Sequence, residues 1–500
     1  MSQPPPDGGG QLTDIVEERR HKALELAARG IKPWGTDFHP TTTCLAAASS
    51  APAEAGQQGP EAAVAGRLLR IRRSGGIAFA DCLDESGSLQ LLATRDGGAA
   101  WELLTQLDLG DIVGAEGRLT RTRSGEPTLS LDRLTLLSKS LRPPAAKHRG
   151  LVDPELRYRR RYLDLLSDPS RREIFRQRSA IVRALRGALE RRGFMEVETP
   201  ILQPIPGGGE ARPFVSHHHA LDTDFYLRIA IELYLKRLLV SGFERVFEIG
   251  RTFRNEGLSP RHNPEFTLLE AYEAYGNLES MMDLCQEMIG AAADAAASCG
   301  SEPPEGLRRP YARMKMVELV RDRTGFDAME LWNDPARMAS SARELGVEFP
   351  PGAGPGRILF EVYDQRVERD LEQPVFVTGH PVEVSPLARP GADPRFAERF
   401  ELVVAGRELA NAFSELNDPV EQRSRLMEQA RLRDAGDLEA QPFDEDFVEA
   451  LEHGMPPAGG IGLGVDRLVM LLTGAANIRD VVLFPTLRPV GGGTFSSDTL

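Results

Sequence analysis

The spacing of apolar positions changes period along the chain and divides it into segments. Val16, Ala23 and Leu26 recur at helical intervals, with Asp14 and Glu17 placed to cap the start and Gly30 and Pro33 to end it. From Ala63 the period falls to two, through AVAGRLLRIR, IAFADCLDE, SLQLLAT, DIVGAEGRLTRTR and PTLSLDRLTLL, with a short helix near Trp101 to Leu107. Five strands with a helix between the third and fourth predict a β-barrel of the OB-fold type. Helical spacing returns at Ile174, Ile181, Val182, Leu185 and Leu189 and again at Leu278, Met281, Cys285, Met288 and Ala292. Between these helices lie extended runs around Met195 and through Val246–Ile249 and Phe266–Tyr275, an order that predicts an α+β domain.

Five hundred residues exceed one compact core, so several domains are expected. Residues 1–12 read as a disordered lead, and 13–62 as a helix followed by an Ala-, Gly- and Pro-rich linker. The barrel takes 63–145, and a charged connector, LVDPELRYRRRYLDLL within 146–169, leads to a second domain over 170–489. That domain carries a helical insertion over about 278–374 with an exposed loop at PPGAGPG, and residues 490–500 read as a disordered tail. No apolar run is long enough to span a membrane, and MSQPPPDGGG is no signal peptide. Cys44, Cys82, Cys285 and Cys299 show no CxxC spacing, so reduced thiols in a cytoplasm are expected. The net charge of −14 argues against non-specific nucleic-acid binding, but segment 63–145 is near neutral and is where a nucleic acid would land.

Phe247 to Tyr275 reads as a hairpin whose tip crowds Arg254, Glu256, Arg261, His262 and Glu265. A solvated turn is the plain reading of such a tip; a polyphosphate ligand is the sharper one, because arginine forks match phosphate and carboxylate oxygens. GGIGLGVDRLVMLL, from Gly459 to Leu472, strengthens the second. Its glycines let backbone approach a ligand closely, and it delivers Arg467 at a strand-to-helix junction. His217 to His219 do not read as a metal cluster, because consecutive strand residues point to opposite faces.

In order, GFMEVETPIL after its helix, the charged hairpin, and the glycine strand with its arginine helix resemble motifs 1, 2 and 3 of class II aminoacyl-tRNA synthetases. FRNEG, RHNPEFT, GHPVEVSPLA, GRELANAFSELNDP and GVDRLVML are most similar to the lysyl-tRNA synthetase family, and the resemblance runs from about residue 14 to 489. It implies an antiparallel sheet flanked by helices, a homodimer formed through motif 1, and an enzyme that activates L-lysine with ATP and transfers it to tRNA(Lys).

The resemblance also assigns residues. Arg254, bridging the substrate carboxylate and the α-phosphate, and Arg467, holding the far phosphates of ATP, would be catalytic. Glu256, Arg261, His262, Phe266 and Gly464 would complete the ATP site, with the adenine between Phe266 and Arg467. Gly208, Glu232, Glu270 and Arg254 would hold the α-end of lysine, Glu415 and Tyr272 its ε-amino group, and Asn411 and Phe413 would line its path. Glu401 and Glu408 would bind Mg²⁺, and Arg72, Phe79 and Glu126 would read the anticodon. From pattern alone Phe79 reads as barrel core. The chain departs from the family at Glu210, at Ile231 where a proline is usual, and at His219. Two alternatives share the fold: an enzyme that lysylates a protein such as elongation factor P, against which the barrel and Gly462 count, and a non-catalytic tRNA-binding paralogue.

Overall fold

The computed structural model describes residues 8–489 except Thr36, 145–150, 308–309 and 437–439. The chain divides into two compact units, Met1–Asp168 with Arg488–Leu500, and Pro169–Leu487. The first seven residues of the expected lead and the expected tail lie outside the described residues.

In the first unit, β1 (Glu61–Ser74), β2 (Ile77–Leu83), β3 (Ser88–Thr94), β4 (Ile112–Arg121) and β5 (Pro127–Ser138) form a closed barrel in the order β1-β2-β3-β5-β4. Period-two alternation decides what fills it: Ala78, Ala80 and Cys82 of β2 are buried, while Phe79 and Asp81 face outward. The helix before the barrel spans Gly8–Ala28, so residues 8–12 are helical and Asp14 lies inside the helix rather than capping it. Within the expected linker, Cys44–Ser49 is a helix capped by Thr43, with Cys44 and Ala47 packed into the barrel core. Alanine carries too little hydrophobic contrast for this short helix to show as a pattern. Of the basic residues on the first helix, Arg20 and His21 are exposed, but Arg19 and Lys22 are engaged. Arg19 is buried and donates to the carbonyls of Leu109 and Ser140, both at 3.0 Å, and Lys22 pairs with Asp108 at 3.0 Å.

The second unit is built on a mixed, mostly antiparallel sheet. Its strands are β6 (Met195–Glu196), β10 (Arg245–Phe253), β11 (Glu265–Ala274), β12 (Ala312–Lys315), β13 (Val375–Thr378), β14 (Arg399–Val403), β15 (Glu408–Ser414) and β16 (Ala458–Gly464). They run in the order β12-β13-β14-β15-β16-β11-β10-β6, and only the outermost pair at each edge is parallel. β7 (Leu202–Gln203), β8 (Val215–His218) and β9 (Thr223–Leu227) make a separate small sheet.

One face of the large sheet presents Leu269, Ala271, Phe400, Leu402, Ala410, Ala412, Ile461 and Leu463, buried against the helices Ser170–Arg191, Leu278–Ser298 and Val465–Thr473. Because neighbours on a strand point to opposite sides, the residues between these positions share the other face. Leu278–Ser298 belongs to this main core, and β12 joins the sheet. The insertion proper is therefore smaller than expected and forms its own core from helices such as Met316–Thr324 and Pro355–Arg366.

Candidate active site

The strand register sets the site. Across the open face one row reads Glu401, Asn411, Gly462, Glu270, Glu248, and the next reads Arg399, Phe413, Gly460, Tyr272, Val246. Glycines in the middle strand leave a trough between the side chains of β11 and β15. A cavity of about 220 Å³ occupies it, lined by Gly208, Glu232, Glu270, Tyr272, Asn411 and Phe413, with Arg254, Glu256, Arg261, His262, Phe266, Glu408, Gly464 and Arg467 also on its walls. Most residues assigned from sequence to lysine and ATP are thus brought together; Glu415 and Glu401 are buried beside the cavity.

At the acidic part of the site burial dominates. Glu270 accepts from the amide of Ile231 at 2.9 Å and the hydroxyl of Tyr272 at 3.0 Å; burial and the Glu232 charge nevertheless push its carboxyl up to about 7. Glu415 is also raised by burial, although the Lys236 ammonium opposes this. The Lys236 Nζ lies 2.5 Å from Glu415 Oε2 and 2.6 Å from Glu232 Oε1, so the two carboxylates share one buried cation. Gly460 makes room for this arrangement, since a Cβ there would overlap Glu415 Oε1 and the Tyr272 ring. Glu210, the extra acid beside the glycine pair, lies 3.8 Å from Arg357.

At the basic part, the hairpin tip positions Arg254, whose guanidinium stands 5.3 Å over the Phe266 ring. Phe266 and Arg467, between which an adenine is expected, both line the cavity. The Arg467 guanidinium donates to the Glu408 carbonyl at 2.9 Å and its carboxylate at 3.2 Å, and approaches His262 at 3.4 Å. Burial first, then the Arg467 charge, hold His262 below its ordinary value, so its imidazole is neutral at pH 7. Asp466 ties the Arg467 helix to β11, accepting from the Thr267 amide at 2.6 Å and from Arg178 at 2.5 Å.

A second cavity of about 210 Å³ shares Arg261, His262, Glu408 and Arg467 with the first and adds Asp364, Glu368, Arg369 and Arg407. Glu368 accepts from the Glu408 amide at 3.1 Å, and burial with the Glu408 charge pushes it up to about 7. Glu401, likewise raised by burial, pairs with Arg399 at 2.5 Å. Crowded carboxylates beside arginines fit a hard divalent cation whose shell phosphate oxygens complete. Among the described residues no three acids or imidazoles converge to hold a metal alone.

On the barrel, Phe79 is half-buried on the outer face, directly across from Arg72, whose guanidinium lies 5.9 Å from its ring. Phe79 is therefore not a core residue. Arg70 and Arg72 share Asp81 at 3.5 and 3.8 Å, and Glu126 is exposed in the turn between β4 and β5, its amide donating to Thr122.

Residues 153–488 match the family model of class II tRNA synthetases (D, K and N), and residues 62–137 that of the OB-fold nucleic acid binding domain called tRNA anti-codon. The chain belongs to the class II tRNA synthetases. Among curated relatives, a lysine--tRNA ligase of Moorella thermoacetica is 50% identical over 95% of this chain and 98% of its own. That of Syntrophomonas wolfei subsp. wolfei is 48% identical over 96% and 98%, and that of Pelotomaculum thermopropionicum 47% over 96% of each. Within its class the chain belongs to the lysine--tRNA ligase family.

Sequence reasoning did not reach Lys236 or Glu368. Lys236 stands four residues after Glu232, a spacing that reads as a surface ion pair; the apolar run ELYLKRLLV around it was the signal for burial. Glu368 lies in ERDLEQP, where nothing distinguishes it from a solvated acid.

Proposed function

We propose that this chain activates L-lysine with ATP in the trough between β11, β16 and β15 and transfers it to tRNA(Lys) read by the barrel. The observation that carries the choice of amino acid is Glu415, a buried carboxylate that Gly460 admits beside the trough and that shares its one cation among the described residues, Lys236, with Glu232. A ligand ammonium supplies the missing partner, and an uncharged side chain would leave two buried carboxylates to one cation at a cost.

On this reading the α-ammonium meets Glu232 and Glu270, and Tyr272 and Glu415 receive the ε-ammonium. Arg254 holds the attacking carboxylate against the α-phosphate while Phe266 carries the adenine. Little bond-making falls to side chains, so alignment and charge neutralisation carry the step. Pyrophosphate leaves toward Arg261, His262 and Arg467, where the second cavity adds Arg369 and Arg407. Mg²⁺ held by Glu408 with Glu401 would neutralise charge on the departing phosphates.

Phe79 and Arg72 offer a stacking platform with a cation on the outer face of the barrel, suited to an unpaired base. Exposed Met195, Ile201, Leu202, Val215 and Leu221, in and around β6–β9, support a second copy of the chain at that edge. Among the described residues no helix is long and apolar enough to cross a membrane, which is consistent with a cytoplasmic enzyme. The anticodon-domain match counts against an enzyme that lysylates a protein. Pyrophosphate exchange with each amino acid in turn, followed by charging of total tRNA, tests the reading. Lysine alone should support exchange, and lysine tRNA alone should be charged; exchange with another amino acid would overturn it.

A further inference from the structure

Lys236 is fully buried, and its ammonium lies 2.6 Å from Glu232 Oε1, 2.5 Å from Glu415 Oε2 and 5.3 Å from the centre of the Phe413 ring. Glu232, Tyr272 and Phe413 themselves reach the trough. Burial pulls this ammonium down, yet the charges of Glu232 and Glu415 outweigh it and hold Lys236 above its ordinary value. It is therefore a permanent cation of the pocket.

We propose that Lys236 is a specificity-determining residue, whose fixed ammonium sets the charge of the pocket so that a ligand with two ammonium groups is matched and one with a single ammonium is not. The proposal rests on the reading of the trough as the lysine pocket.

The charge count carries it. With lysine bound, its two ammonium groups draw Glu270 and Glu415, which burial raises in the empty pocket, into their ionised forms, so Glu232, Glu270 and Glu415 bring three negative charges against the one ammonium of Lys236, which leaves two. The nearby Arg228 is matched by Glu248 at 2.6 Å and does not alter the sum. Two ammonium groups on the ligand close the count, while its carboxylate faces Arg254. A buried site with three carboxylates and no internal cation could not hold all of them ionised; it would take up a proton and lose the partner that the ε-ammonium needs. Lys236 also bridges Glu232 and Glu415, so it fixes their separation before a ligand arrives.

The test compares full-length Lys236→Met, Lys236→Gln and Glu415→Gln by lysine-dependent pyrophosphate exchange and thermal melting. In both Lys236 variants the lysine KM at pH 7 should rise about 10- to 100-fold, with the ATP KM changed by less than about twofold. The groups facing the lost ammonium are Glu232 on its own helix and Glu415 beyond β15, with the Phe413 ring beside them, and the charges of Glu232 and Glu415 act in turn on Tyr272 of β11, and that of Glu232 on Glu270. Without Lys236 the carboxylates hold protons to higher pH, so the lysine penalty should shrink toward pH 9. Preference for lysine over 6-hydroxynorleucine, which lacks the ε-ammonium, should fall by a similar factor. The glutamine variant carries the test if the methionine variant does not fold. A lysine KM within about twofold of the parent in a folded variant, or a loss shared equally by ATP and flat with pH, overturns the proposal. If Glu415→Gln also leaves lysine use unchanged, the pocket reading itself fails; if Glu415→Gln impairs it and the Lys236 variants do not, only this inference falls.

Discussion

The backbone amide of Ile231 donates to Glu270 Oε1 at 2.9 Å, at the residue just before the helix that carries Glu232 and Lys236. Proline, usual at this position in the family that the sequence resembles, has no N–H to give. The departure at Ile231 therefore adds a donor that pulls down a carboxyl which burial, on balance, still holds up at about 7.

Ile231→Pro should move the Glu270 carboxyl further up and weaken lysine binding at neutral pH by about 10- to 150-fold, the worth of one hydrogen bond to a charged group. The sign of the pH dependence follows from ionisation. Below pH 7 Glu270 is mostly protonated and cannot pair an ammonium, so the parent's lysine KM should fall as pH rises through 7. In Ile231→Pro the same fall should appear at higher pH. Identical profiles of lysine KM between pH 6 and 9 would show that Glu270 does not contact the substrate ammonium.

Gly460→Ala should remove lysine-dependent exchange by more than about a hundredfold, because its Cβ would overlap Glu415 Oε1 and the Tyr272 ring. Gly462→Ala is the steric control: the nearest atoms to its Cβ are Asn411 O and Glu270 Cγ, both at 3.9 Å, so that variant should fold and melt like the parent. Equal melting and full exchange in Gly460→Ala would mean that Glu415 is not held against this strand.

The two expected metal acids should separate in their effects on stability. Glu408 lines both cavities and is part-exposed, so Glu408→Ala should cut exchange by about a hundredfold or more with little change in melting, and added Mg²⁺ should restore only part of it. Glu401 is buried and pairs with Arg399, which also donates to Val384, Ser385 and Asn411. Glu401→Ala leaves that arginine short of its counter-charge and should cost about 3 to 5 kcal/mol of stability in addition to activity. A melt of Glu401→Ala equal to that of Glu408→Ala would contradict this division.

The barrel, the glycine strand and the hairpin were legible in the sequence because each rests on local signals: alternation, turn residues and close backbone approach. Family motifs then named Glu232, Glu270, Tyr272, Asn411 and Phe413, which the strand register gathers on one trough. Lys236 was hidden because an i,i+4 Glu–Lys spacing looks the same on a surface helix as on a buried one, and only tertiary packing distinguishes them. The stacking of Arg254 over Phe266 lies within the hairpin itself, whose strand register brings the two ends of its tip together. The helix at Cys44–Ser49 escaped for a different reason: its apolar face is one cysteine and alanines, too weak a contrast to stand out from a linker.

Phe79 sits on the outer face of the barrel with the Arg72 guanidinium 5.9 Å from its ring, in a different compact unit from the trough. If it stacks on an anticodon base, Phe79→Ala should remove about 1 to 3 kcal/mol of RNA binding, a loss of about 5- to 150-fold in tRNA affinity. Lysine-dependent pyrophosphate exchange, which needs no tRNA, should be unchanged. Because the side chain is only half-buried and outside the core, the melt should shift far less than for a buried phenylalanine, whose truncation costs about 3 to 5 kcal/mol. Salt sharpens the test: the remaining contacts would be largely to phosphates, so charging by the variant should fall more steeply between low and physiological ionic strength than charging by the parent. Unchanged charging with an unchanged melt would remove Phe79 from the anticodon surface, and a large fall in melting temperature would return it to the core.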